Sequence, residues 1–110
     1  MDFTYSYSEG TKDLSGFIEG KASNPNEVMD LLDKLTKPKS SVSISNSELD
    51  YIDFWCLEDG QIEMEIMQRG NDDFAVLDVP MAKQVVEVVF RSSGKKLVRD
   101  TLQELPIKWI

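Results

Sequence analysis

At 110 residues, 41% hydrophobic and 29% charged, the chain is large enough to bury a core unaided and too apolar for a disordered segment, so 1–110 reads as a single domain. Its formal net charge of −8 and pI near 4.4 exclude the ordinary ways of holding nucleic acid or an anionic membrane, which require positive charge brought to phosphates. The N-terminus, Met1-Asp2-Phe3-Thr4-Tyr5, lacks the basic and apolar regions of a signal peptide, no stretch is long and apolar enough for a membrane span, and the lone Cys56 can form no internal disulfide; the expected compartment is the cytoplasm.

Phe3, Tyr5 and Tyr7 alternate with Thr4, Ser6 and Ser8, the period of a first strand. After the turn-forming Glu9 to Asp13, Leu14 to Lys21 returns as a second strand, completing an N-terminal hairpin. Asn24 as cap, Pro25 at the first helical position and Glu27 three residues after the cap open a helix over 25–36, with Val28, Leu31, Leu32 and Leu35 forming its apolar stripe. Pro38 stops it. Ser41 to Ser45 alternates as a strand with Val42 and Ile44 inward, and Leu49 to Leu57, Gln61 to Gln68 and Phe74 to Val79 follow as three more, with 69–73 as the turn before the last. Asp78-Val79-Pro80 opens a second helix carrying Ala82, Val85, Val86, Val89 and Phe90 at helical spacing, although its valines make a strand the competing assignment. Lys95 to Leu105 reads as a third helix, and Pro106 leads into a short final strand, Ile107 to Ile110. The expected fold class is therefore α+β: an antiparallel sheet made of the N-terminal hairpin plus a central four-strand meander, with two to three helices packed mainly on one face.

The charge is concentrated in that meander. Between Ser40 and Ala82 stand ten carboxylates and one base, Arg69, a formal −9, while the rest of the chain carries ten acids and eleven bases. The turn at Glu58-Asp59-Gly60 decides which of these side chains are displayed. As a two-residue turn, Asp59-Gly60 pairs Leu57 with Ile62 and places Asp53 among apolar neighbours, which is costly. As a three-residue loop with Gly60 in the left-handed conformation, it pairs Leu57 with Gln61 and flips the parity. Ile52, Phe54 and Cys56 then share a face with Ile62, Met64 and Ile66, and the opposite face holds Tyr51, Asp53, Trp55, Glu63, Glu65 and Met67. The second register is the expected one. Its displayed face suits a basic protein, because rings supply contact area and carboxylates accept from Lys and Arg. The competing arrangement buries Tyr51 and Trp55 under the helices as a second core layer.

Catalytic chemistry is not visible. The chain has no histidine, Cys56 sits in an apolar strand as a small hydrophobe, and the six glycines are too dispersed for a phosphate loop or dinucleotide fingerprint. Asn71-Asp72-Asp73 lacks the spacing of a calcium loop, so neither a metal nor another cofactor is expected, and the chain is expected not to be an enzyme.

A strand entering Val79-Pro80, a helix ending in Val89-Phe90 and a closing Leu105-Pro106-Ile107-Lys108-Trp109 strand, in a small acidic α+β chain, resemble the immunity proteins of bacterial polymorphic-toxin and contact-dependent growth-inhibition systems. What the resemblance implies is a non-catalytic inhibitor of a cognate, basic toxin domain, often a nuclease. The expected partner-binding residues are Tyr51, Asp53, Trp55, Glu58, Asp59, Glu63, Glu65, Asp72 and Asp73. Two alternatives use the same residues: an adaptor or regulatory subunit for a basic protein, and a ligand-binding domain or small enzyme with a cavity between sheet and helices lined by Tyr51 and Trp55.

Overall fold

Strands that bury every second side chain build one sheet with a single apolar face. The computed structural model describes residues 2–10, 16–47, 49–92 and 98–110. Its strands are β1 (Phe3–Ser8), β2 (Ile18–Ala22), β3 (Ser41–Asn46), β4 (Leu49–Cys56), β5 (Ile62–Gln68) and β6 (Asn71–Leu77). They form one antiparallel six-stranded sheet in the order β2-β1-β3-β4-β5-β6, so the N-terminal hairpin joins the meander through the β1–β3 pairing. The expected α+β class, hairpin and meander are all present.

The loop at Gly60 sets the register across the centre. Leu57 N–H donates to Gln61 O at 2.8 Å, Gly60 N–H to Leu57 O at 3.0 Å, and Gly60 has φ +86°, a conformation that a residue with a Cβ enters at a cost. Cys56 therefore pairs with Ile62, Phe54 with Met64 and Ile52 with Ile66, as the three-residue loop predicts. All six are at most 3% exposed and form the centre of the core.

That core lies between the sheet and the helices α1 (Asn26–Leu32) and α2 (Val79–Arg91), with Val98 and Leu102 of the C-terminal segment adding to it. Val28, Leu31 and Leu32 of α1 and Ala82, Val85, Val86 and Val89 of α2 pack against Val42, Ile44, Phe54, Met64 and Ala75. Burying each Leu, Ile or Phe stabilises the fold by about 1.5–3 kcal/mol. The α2 segment is a helix despite its valines, because its 3.6-residue stripe lands on the sheet and Asp78 caps it, accepting from Met81 N–H at 2.9 Å. Lys83 of α2 reaches Asp33 at 2.8 Å and ties the helices together.

Several boundaries differ from the sequence reading. The first helix is shorter than 25–36: Pro25 occupies its cap position without a side-chain hydrogen bond, and Asn24 Oδ1 accepts from Asn26 N–H at 3.1 Å in a local turn. Glu27 does not reach back to the cap, because it accepts from the Tyr5 hydroxyl at 2.7 Å and links α1 to β1. The second strand begins at Ile18; 11–15 lie outside the described residues. The turn assigned to 69–73 is only Arg69-Gly70, with φ of +52° and +81°, the two-residue type whose twist matches a hairpin. Asn71, Asp72 and Asp73 are consequently strand residues of β6. The third helix is a four-residue turn, α3 (Val98–Thr101), continued by a 3-10 turn at Leu102–Glu104, with 95–97 outside the described residues. The final strand reduces to one bridge, Trp109 to Ala75, with Ile110 N–H donating to Phe74 O at 2.8 Å. No helix among the described residues is long and apolar enough to cross a membrane.

Candidate functional site

The face of the sheet turned away from the helices carries the displayed residues. Cross-strand pairing places Glu19, Ser6, Ser43, Asp53, Glu65 and Phe74 in one row across all six strands. A second row runs Ser8, Ser41, Trp55, Glu63 and Val76, and a third joins Tyr51, Met67 and Asp72. Tyr51, Trp55, Met67, Phe74 and Val76 are half-buried, and none of them packs into the core. The helices leave this face open, so Tyr51 and Trp55 are not a second core layer and do not line a space between sheet and helices.

The face divides into two halves of different chemistry. Over β1 and β3 it is a field of small hydroxyls, Thr4, Ser6, Ser8, Ser41, Ser43 and Ser45, which offers hydrogen bonds and little area. Over β4, β5 and β6 it is a strip of three aromatics, Tyr51, Trp55 and Phe74, with Met67 and Val76, interrupted by Asp53, Glu63, Glu65 and Asp72. Rigid rings set among acceptors are the composition in which binding energy concentrates at protein interfaces.

The acidic part of this strip is in electrostatic conflict with itself. Asp53 and Glu65 stand directly opposite each other across β4 and β5, a like-charge cross-strand pair that destabilises a sheet. Partial burial raises the pKa of Glu65 above the usual carboxylate range. The neighbouring Asp72 carboxyl raises it further, the Tyr51 hydroxyl partly offsets this, and the charges of Asp72 and Asp53 add to the rise. The Tyr51 phenol is pushed up in turn, first by burial and then by the neighbouring Glu65 carboxylate. Among the described residues no ion pair relieves Asp53, Glu63, Glu65 or Asp72, and no group of three His, Cys, Asp or Glu side chains has the arrangement of a metal site.

The structure thus brings together Tyr51, Asp53, Trp55, Glu63, Glu65 and Asp72 on one face. It sets Glu58 and Asp59 apart, in the exposed loop that ends the β4–β5 hairpin, where Asp59 Oδ1 accepts from Gln61 N–H at 3.0 Å. It separates Asp73 altogether. Asp73 pairs with Ile66 on the core face, is largely buried, and is bonded to Arg99, whose guanidinium lies 4.9 Å from the centre of the Trp109 ring. That stack fastens α3 and the C-terminal segment to β6. Phe74 and Val76 are the displayed residues that sequence reasoning did not place, because the assumed five-residue turn left the parity of β6 open. The pairing of Gln68 with Asn71 around a two-residue Arg-Gly turn is the signal that fixes it.

Cys56 faces the core at 3% exposure, and burial, followed by the charges of Asp59 and Glu58, raises its thiol pKa, the opposite of nucleophile activation. Ser40 and Gln68 are the buried polar side chains among the described residues, and both are used: Ser40 donates to Lys37 O at 2.6 Å and Gln68 accepts from Val98 N–H at 2.6 Å. Comparison with protein-family models, curated proteins and solved structures finds no match to this chain.

Proposed function

We propose that the chain is a binding protein that receives a basic protein domain on the open face of its sheet, and that it serves as the immunity protein of a toxin domain. One observation carries this reading: the open face combines three half-buried aromatics with a like-charge pair, Asp53 opposite Glu65, that no ion pair among the described residues relieves. A fold keeps such repulsion at a cost in stability, and functional surfaces are where local rules of stability are broken. A Lys or Arg placed between Asp53, Glu65 and Asp72 relieves it and gains charge-assisted hydrogen bonds, while Trp55, Phe74 and Met67 supply the desolvated contact around it. A domain that cleaves nucleic acid carries such cations to hold phosphates, and an acidic inhibitor gains association rate and specificity by matching them. A toxin of this kind is the reading's named partner.

Only the ionised Glu65 holds a cation, so binding weakens as pH falls through its raised pKa. The test is co-expression of this chain with the toxin domain encoded beside it, scored by growth and by binding of the purified domains. Protection by the wild type, lost in Trp55→Ala and in the double reversal Asp53→Lys/Glu65→Lys while both variants keep the native circular dichroism, supports the assignment. Undiminished binding and salt dependence in the double reversal would sink the open face as the interface. Capture of a constitutive cellular complex, with no protection from the toxin, would move the chain to the adaptor class.

A further inference from the structure

The two edges of the sheet are finished differently. The outer edge of β6 is occupied by the chain itself, through the Trp109–Ala75 bridge and the Ile110 to Phe74 hydrogen bond. The outer edge of β2 pairs with no segment among the described residues, so its backbone donors and acceptors face outward. An unpaired edge is a template for another strand, and its sequence determines which strand fits.

We propose that β2 pairs antiparallel with β2 of a second copy of this chain, about a two-fold axis through Gly20, joining two six-stranded sheets into one. The strand reads Ile18-Glu19-Gly20-Lys21-Ala22. Antiparallel pairing centred on Gly20 sets each Glu19 opposite the Lys21 of the other copy, twice, and each Ile18 opposite an Ala22. Glu19 and Lys21 are exposed on the open face beside Ser6 and Thr4 of β1, and no ion pair among the described residues engages either. A lone edge lysine is an ordinary guard that repels every incoming strand. Here the lysine and the glutamate flank the centre symmetrically, which makes the edge complementary to itself, as an isologous contact requires.

Gly20 suits the axis for a second reason. The Tyr5 side chain lies across it, so that a Cβ there would come within 2.8 Å of the Tyr5 hydroxyl, which is itself held by Glu27. The strand therefore has no side chain at its centre, and two copies can approach with bare backbone at the axis. A five-residue edge is smaller than a standard stable interface, so the pairing is a weak one, seen in the micromolar range or above.

Charge exchange tests it on the intact chain. Sedimentation velocity from micromolar to millimolar concentration is expected to show the wild type moving from monomer toward dimer. Glu19→Lys alone and Lys21→Glu alone each turn both cross-strand pairs into like-charge pairs, and each is expected to weaken self-association by roughly tenfold or more. Mixing the two variants in equal amounts restores opposite charges at every pair and is expected to recover the dimer as a heterodimer. That recovery also shows that neither variant is misfolded. A wild type that stays monomeric up to millimolar concentration, single variants that dimerise like wild type, or a mixture that stays monomeric would each overturn the proposal, the first of these leaving the edge to a strand of another protein.

Discussion

The two faces of this sheet are built from alternate residues of the same strands, yet they obey opposite rules. On the helix side, Ile52, Phe54, Cys56, Ile62, Met64 and Ile66 meet like with like and are almost wholly removed from water. One residue along, on the other side, Asp53 meets Glu65 and Trp55 meets Glu63. The first face is organised by burial, which is non-directional and rewards any close-packed apolar set. The second is left with half-buried aromatics and carboxylates that repel each other, an arrangement the fold tolerates at a cost. Adjacent positions should therefore separate stability from binding.

Phe54 and Trp55 make the sharpest test. Phe54→Ala empties a site that is 0% exposed, and the expected loss is about 3–5 kcal/mol in urea denaturation. Trp55→Ala should cost clearly less, since its half-buried ring lies on the open face and does not pack into the core, and should instead remove most of the partner affinity. Equal losses of stability from the two would mean that the faces do not differ as described.

The neighbouring acids Asp72 and Asp73 repeat the comparison on β6. Asp73→Asn breaks the ion pair to Arg99 that holds the C-terminal segment and is expected to cost about 1 kcal/mol with binding unchanged. Asp72→Asn should leave stability within about 0.5 kcal/mol of wild type and weaken binding. Paired melting and titration measurements on the two variants check both expectations.

Glu65 gives the smallest effect and a distinctive sign. Its pKa is raised in the folded state above the ordinary 4.5, so folding favours its protonated form. The stability this contributes is fully present below the unfolded pKa and is lost as pH rises through the folded value. Glu65→Gln removes the charge, and its stability relative to wild type is expected to increase with pH above about 4.5, reaching a few tenths to about 1 kcal/mol at neutral pH. A difference that is flat with pH would show that the open face stores no repulsion at this site.

Much of this architecture was legible in the chain. Alternation located the strands, a 3.6-residue stripe located both main helices, and the Glu58-Asp59-Gly60 loop fixed the parity that puts Trp55 beside Glu63 and Glu65. Local chemistry misled where two short-range signals competed. Arg69 to Asp73 looks like a polar turn, but the twist of a hairpin is satisfied by Arg69-Gly70 alone, and the three polar residues after it continue the ladder. Asn24, Pro25 and Glu27 look like a capping box, but Tyr5 from another strand takes the carboxylate the box needs.

By itself the sequence determined the strand periods, the register of β4 on β5 and therefore which residues share a face, because these depend on neighbours a few positions apart and on one turn. Only the tertiary structure decided that β1 joins β3, that Asp73 is spent on Arg99 while Asp72 is displayed, and that one sheet edge is closed by the C-terminal segment while no described segment pairs with the other. Those choices turn on contacts between residues far apart in the chain, where the gain from burying one shared apolar surface outweighs any local preference.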